Sequence, residues 1–355
     1  MPINPPSTYD REHLRNLSAY GREIEGIYLR AAERAALLVN LAAGYSPGKP
    51  FNIKDYPAIK ARIDTIAREL QSNLQAVVLN GINAQWTLAN NKNSELSRRV
   101  FGDNIGRLTT DQYDRYFSTN HKAQQAFLQR KTAGLNLSDK VWRYSEQYKQ
   151  EIELALETGL RSGKSADRMT ADLRQYLRNP DKLFRRVKDD QGMLRLSKAA
   201  KIYHPGQGVY RSSYKNALRL TATEGNLAYR TADHLRWQQL DFVVGIEIRL
   251  SNNHTLNGVP FTDICDDLAG KYPKDFKFTG WHPFCRCNAI PILKSEAEIE
   301  QDNDRIDKGR NPSTDSQNKV NEPPGALKQW TQKNKERIAN ATSLPYFMRD
   351  NKKYF

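Results

Sequence analysis

Between Tyr9 and Leu41 this chain places small and apolar side chains at Leu14, Leu17, Gly21, Ile24, Tyr28, Ala31, Ala35 and Leu38, in alternating steps of three and four. That spacing draws one continuous stripe along a helix, and the stripe has to be covered by another element. A helix over 9–41 is therefore predicted, ended by Gly44 and by Pro47-Gly48-Lys49-Pro50. A second seam, Ile59, Ile63, Ile66, Leu70, Leu74 and Val77, predicts another long helix, capped by Asp55 and running to about Asn90. With a short connection the two should pair antiparallel, and Gly21, Ala31 and Ala35 would let them approach closely. Seams of this kind serve packing first. The same pattern also allows self-association.

Further helices are predicted around Tyr113–Arg130, from a Ser138 cap to Leu160 (Val141, Trp142, Tyr148, Ile152 and Leu156 apolar), and from a Ser165 cap to Leu177, stopped by Asn179-Pro180. A basic stretch from Lys182 to Lys201 turns at Asp189-Asp190-Gln191-Gly192. A helix from Tyr210 to Leu240 follows. The period then drops to two: Phe242–Leu250 alternates like a strand, with Ile246, Ile248 and Leu250 on one face, and Asn288–Leu293 is a second strand. Residues 303–324 lack apolar periodicity and read as linker or disorder, with one short helix over Leu327–Ala341. The expected fold is mainly α: a long helical hairpin and helical body with a small α+β C-terminal module. Its expected segments are 1–50 (first helix and loop), 51–135 (its helical partner), 136–209 (basic helical region), 210–295 (α+β module) and 296–355 (polar, partly disordered tail).

Charge narrows the partners. The chain of 355 residues carries a formal +15, and between Arg161 and Arg219 there are 15 Lys/Arg against five Asp/Glu. That density favours a polyanion, either nucleic acid or an acidic protein surface, over plain solubility. A mean hydropathy of -0.77 fits long solvated helices. No run of 18 apolar residues predicts a membrane span, and Met1–Pro6 has neither the basic start nor the apolar core of a secretory signal.

All three cysteines fall in one window, Cys265-x16-His282-x2-Cys285-x-Cys287. Three thiols and an imidazole are the number and type of ligands a closed tetrahedral zinc site needs, and His254 is a further candidate. Cys-x-Cys on a strand would point its two sulfurs to opposite faces, so a turn at Arg286 would be required. Two other readings stay open: buried inert thiols, or a disulfide from Cys265 to Cys285 or Cys287. Three cysteines cannot all pair within one chain, which favours folding in a reducing compartment. A catalytic zinc would need an open position and a general base. The nearest acids, Asp263, Asp266, Asp267 and Glu224, read instead as caps or solvated groups, so no enzyme is expected. Arg219, Glu224 and Asn226 fall on one helical face and are expected to form a polar cluster, with a solvated face as the alternative.

Four stretches carry a resemblance. They are Leu137–Trp142 leading to Gly159–Ser165; Ala217–Arg230, with its Arg…Thr-Glu…Asn…Ala-Tyr pattern; Asp263–Tyr272; and Trp281-His282-Pro283-Phe284-Cys285-Arg286-Cys287 with Pro291. Together they resemble the phage Mu F-like minor head proteins of the head morphogenesis family, over about 135–295. Many relatives have Cys-x-x-Cys where this chain has Thr262-Asp263-Ile264-Cys265, which removes one candidate ligand unless His254 replaces it. Some relatives carry a toxin or nuclease domain after the module; none is expected in the polar stretch here. The resemblance implies a structural virion protein, made in the host cytoplasm and located in the capsid interior or at the portal vertex. Its partners would be the portal protein, the capsid and nonspecifically bound double-stranded DNA. Arg185, Arg186, Lys188, Arg195, Lys198 and Lys201 are the candidate phosphate contacts. The alternatives are a metal-dependent enzyme acting on nucleic acid, or a DNA-binding accessory protein with no capsid role.

Overall fold

The computed structural model describes residues 7–42, 44–46, 51–179, 186–188, 190–196, 211–251, 255–256, 259–341 and 343–355, with backbone alone for 7, 186–188, 194–196, 255–256 and 259–260. The protein is mainly α with a small α+β module in its C-terminal part. It divides into two compact units: 18–80 with 128–222, and the residues up to 17 with 81–127 and 223–355. Three of the four boundaries fall inside long helices, α1 (Ser7–Ala36), α2 (Pro57–Phe101) and α7 (Ser213–Gln239), the fourth follows Phe127 in a short helix, and none falls at the ends of the five consecutive segments expected. The reason is length. A 45-residue helix such as α2 is about 68 Å long, more than one small core can cover.

In the helical unit, α1 and α2 run antiparallel, with Arg34 paired to Glu69, and bury the expected seams from Ile24 to Leu38 and from Ile59 to Val77. Helices α5 (Leu137–Arg161) and α6 (Ala166–Arg178) complete the core with Tyr148, Ile152, Met169, Leu173 and Tyr176. Ser165 caps α6 as expected, but the cap of α5 is Asn136, in a reciprocal box with Asp139. Ser138 lies inside the first turn, because Asn136 offers the same capping oxygen two residues earlier. Trp142, expected among the apolar contacts, is exposed. The first turn of α7 is held by the buried carboxylate of Glu151, which accepts from the Ser213 backbone N–H (2.8 Å) and hydroxyl (2.5 Å). Anions are favoured at that end of a helix. Within 136–209 the backbone forms a ribbon where a helical region was expected: β1 (Arg186–Lys188) pairs antiparallel with β2 (Leu194–Leu196). Gly192, at φ +77°, makes its turn.

The second α2 boundary also differs. Asn52, not Asp55, caps a 3-10 turn over Ile53–Asp55, and Pro57 opens the helix, which continues to Phe101. The single helix expected over 113–130 is two, α3 (Thr110–Phe117) and α4 (His121–Gln129), parted at Asn120 with φ +53°.

The mixed unit packs the remainder of α1, α2 and α7 with α3 and an antiparallel sheet of order β6-β3-β7, where β3 is Val243–Arg249, β6 Gly270–Tyr272 and β7 Asn288–Leu293. A two-residue ladder, β4 (Thr255–Leu256) with β5 (Val259–Pro260), precedes α8 (Ile264–Leu268). Charged groups are buried among these helices. Lys92 lies between Asp10 (3.0 Å) and Asp233 (2.5 Å), and His13 between Gln85 (2.6 Å) and Asn226 (2.9 Å). At the N-terminal end of the first seam, His13 is therefore buried while Leu14 is exposed.

Residues after Leu293 are part of this core. Helix α9 (Glu296–Asp307) is capped by Ser295; α10 (Gly325–Lys333), α11 (Lys335–Ala339) and α12 (Tyr346–Arg349) follow. The stretch read as linker is tied down: the Val320 N–H donates to the Val244 carbonyl (3.1 Å), and buried Lys294 donates to Asp302 (2.6 Å) and to the Ser313 carbonyl (2.5 Å). A Cβ on Gly245 would stand 2.7 Å from the Val320 side chain, so the strand needs glycine there. Ile299, Ile306, Leu327, Phe347 and Met348 are the buried apolar anchors that hold the tail. No described helix is long and apolar enough to cross a membrane.

Candidate metal centre

Three local structures bring the predicted cysteines together. Cys265 is the second residue of α8. Asp263 caps that helix, one oxygen accepting from the Cys265 N–H (2.7 Å), while Asp266 accepts from the Asp263 N–H (2.8 Å). His282–Cys285 forms a turn closed by the Cys285 N–H on the His282 carbonyl (3.1 Å), with Phe284 at φ +62°. A large residue in that left-handed region is strained, and such strain collects at functional turns. Cys285 and Cys287 precede β7, so the alternation of a strand does not act on them. The turn the Cys-x-Cys spacing demanded falls at Pro283-Phe284 and not at Arg286.

The outcome is two ligand triads sharing Cys265. Cys265, Cys285 and Cys287 are buried, with their sulfurs within 4.8 Å of one another. Asp263, Cys265 and His282 form the second triad at the same limit. The Cys265 and Cys285 sulfurs are 3.9 Å apart. Tetrahedral zinc with bonds of about 2.3 Å would set its sulfurs about 3.8 Å apart. The Nε2 of His282 is 3.1 Å from the Cys265 sulfur and 3.3 Å from Asp263 Oδ2, while its Nδ1–H donates to the Pro283 carbonyl (2.7 Å). Donation from Nδ1 is the arrangement in which an imidazole binds a metal through Nε2, the nitrogen that here faces sulfur and a carboxylate. The thiols are free of disulfides.

Electrostatics agree with a cation. Hydrogen bonds from Cys265 and Cys287, helped by the Arg230 charge, push the Cys285 thiol well below its ordinary pKa. Cys265 is pushed far up, chiefly by its bond to Cys285. At Cys287 the Cys265 hydrogen bond pulls down but is outweighed by Cys285 and burial, which push it up to about 12. The three neighbouring thiols thus share their charge unequally, with Cys285 the most readily ionised, and a bound dication would favour the thiolate form of each. The donor set fits a soft or borderline metal ion, and the cluster could hold one.

Arg230 is the residue that sequence reading missed. It is buried on α7 and donates to the carbonyls of Thr279 (3.0 Å), Cys285 (2.7 Å) and Cys287 (2.6 Å). It thereby fixes the backbone from which two sulfurs project. Gly280, at φ +117°, makes room for it: a Cβ there would lie 2.6 Å from Arg230 Nη1. Asp263 was read as a cap, which it is, and it also reaches His282. The only sequence signal for these roles was position, an Arg on the buried face of a helix and a D-x-x-D box ahead of a cysteine.

Other expected site residues separate. Asn226 bonds to His13, and Glu224 is 4% exposed, so these two positions of α7 are buried and not solvated, while Arg219 is half-buried. Arg185, Lys198, Lys201 and His254 lie outside the described residues. Arg186, Lys188 and Arg195 lie on the β1–β2 ribbon, where Arg186 pairs with Leu196, Lys188 with Leu194 and Arg195 with Val187. No family model, no curated protein and no solved structure matches this chain.

Proposed function

We propose that the chain is a non-enzymatic minor head protein resembling the phage Mu F-like head morphogenesis family, and that Cys265, Cys285, Cys287 and His282 hold a structural zinc ion. One observation carries the reading. The stretches that bear the resemblance, Ala217–Arg230, Asp263–Tyr272 and Trp281–Cys287, are up to some 50 residues apart, yet they supply Arg230, Cys265 and the His282 turn to one cluster. Three of the four stretches that carry the resemblance thus converge on one site, which is what a shared module would leave; the fourth, Leu137–Trp142 with Gly159–Ser165, belongs to the helical unit. With the His282 imidazole moved in to join the three thiolates, the coordination sphere would be closed, and zinc there would contribute folding energy and no turnover. Work at the portal vertex would fall to the long amphipathic helices, and packaged DNA would meet the basic segment through phosphates alone.

The test is the copy number of this chain in gradient-purified phage particles, measured by mass spectrometry against the portal protein. A fixed low ratio, near that of the portal, is expected. Absence from procapsids and mature particles alike would remove the reading and bring forward a metal-dependent nucleic-acid enzyme or a DNA-binding accessory protein.

A further inference from the structure

A cavity of about 430 Å³ opens beside the cluster, and every residue lining it belongs to the mixed unit. It falls in the size range of ligand pockets. We propose that it is a docking pocket for an acidic peptide segment of a partner protein, taking one large apolar side chain inside and carboxylates at its rim. The inference stands on the chemistry of the cavity and does not depend on the head-protein reading.

The interior is apolar, with Leu14, Trp237, Leu250, Phe278, Ala289 and Ile290 among its walls. Its charged floor is already satisfied. Asp10 and Asp233 both receive Lys92, Asp10 also accepts from the Tyr229 hydroxyl (2.8 Å), and Asp233 from Asn93 (2.7 Å). An entering group would therefore gain by covering apolar surface.

The rim is basic. Arg249 is paired with Glu247, but Arg11 and Arg286 are exposed and have no acidic partner among the described residues. Guanidinium groups hold carboxylates in two-point bonds. Arg286 stands between Cys285 and Cys287, so the cluster itself determines where one of these rim charges lies.

Nucleic acid fits less well. A duplex cannot enter a concave space of this size, and phosphates would face Asp10 at the floor. A single base would need an open ring face. Tyr229 is already stacked by His13 at 4.1 Å with Lys92 4.5 Å from its centroid, and Arg230 lies 5.1 Å from the Phe278 centroid. An apolar anchor with an acidic surround is the complement that remains.

The experiment uses the full chain and fluorescein-labelled heptapeptides of Asp and Glu, with Leu, Ile, Phe or Trp at the centre, read by fluorescence anisotropy. Saturable binding of at least one peptide is expected, with Kd on the order of 10–100 µM for a single anchor. The same peptide with a central alanine should bind at least about tenfold more weakly, as should Arg11→Ala/Arg286→Ala with the original peptide. Leu14→Trp, a change at an exposed position that fills the mouth, should abolish binding while circular dichroism stays unchanged. No saturable binding up to about 1 mM, equal binding of the alanine peptide, or indifference to Leu14→Trp overturns the pocket. Displacement by oligothymidylate of matched length and not by unlabelled peptide overturns the peptide assignment.

Discussion

Replacing Arg230 by methionine keeps most of the buried stem and removes the charge. Three carbonyls, of Thr279, Cys285 and Cys287, would lose donors now at 2.6–3.0 Å in a site that excludes water. Hydrogen bonds to a charged group contribute about 1.5–3 kcal/mol each. Relief from burying the guanidinium offsets part of the sum, and the cation–π contact with Phe278 adds about 1 kcal/mol to the loss. A net destabilisation of about 4 kcal/mol is expected, a large share of the 5–15 kcal/mol that folded domains have. The assay is urea unfolding at saturating zinc, followed by tryptophan fluorescence, since Trp237 and Trp281 lie in the same core. Zinc affinity, measured by competition with a chromogenic chelator, should fall about 10–100-fold, because the carbonyls of two ligand cysteines are no longer held. Arg230→Lys should rescue little, as one ammonium cannot span three carbonyls with a fixed fork. A loss below about 1 kcal/mol in the methionine variant, or a lysine variant equal to wild type, would refute the idea that Arg230 positions the cluster.

Elemental analysis of protein purified without chelator should find one zinc per chain; chelation should lower Tm, and Cys285→Ser should lose the metal and the response to chelation together. Burial lowers both His13 and His234 from 6.5 to about 4. The unfolded chain then takes up these protons first, so acidification from pH 7 to 5 costs about 2 kcal/mol for each histidine. Asp233, raised by burial to about 6, works in the opposite sense, being protonated in the folded chain first, and returns about 1 kcal/mol over the same window. His13→Gln should remove about 2 kcal/mol of the acid loss in urea titrations at the two pH values; an unchanged slope would mean that His13 is not held neutral. If the basic segment touches phosphates, Arg185→Ala/Arg186→Ala/Lys188→Ala should reduce the slope of log K against log salt for duplex DNA by about 2–3, and an identical slope would dismiss that contact.

The helices were legible because their determinants are local. The seams of α1 and α2, the Ser165 cap of α6 and the change of period at β3 follow from spacing along a few turns. Where two local signals competed, spacing could not choose: Asn136 displaced Ser138, Asn52 displaced Asp55, and Asn120 split one expected helix into two. Strand β6 is three residues long, too short to display a period, and exists because β3 offers it an edge.

The sequence by itself determined the helical class, the location of the small sheet and the ligand types of the cluster, since periodicity and side-chain chemistry belong to the chain. Tertiary structure alone decided that α2 and α7 each serve two cores and that a polar tail is held by Ile299, Ile306, Leu327, Phe347 and Met348. It also decided that Arg230 on α7 reaches the cysteine carbonyls, 55 and 57 positions away. Such contacts depend on which surfaces meet, and no spacing along the chain encodes them until the core has formed.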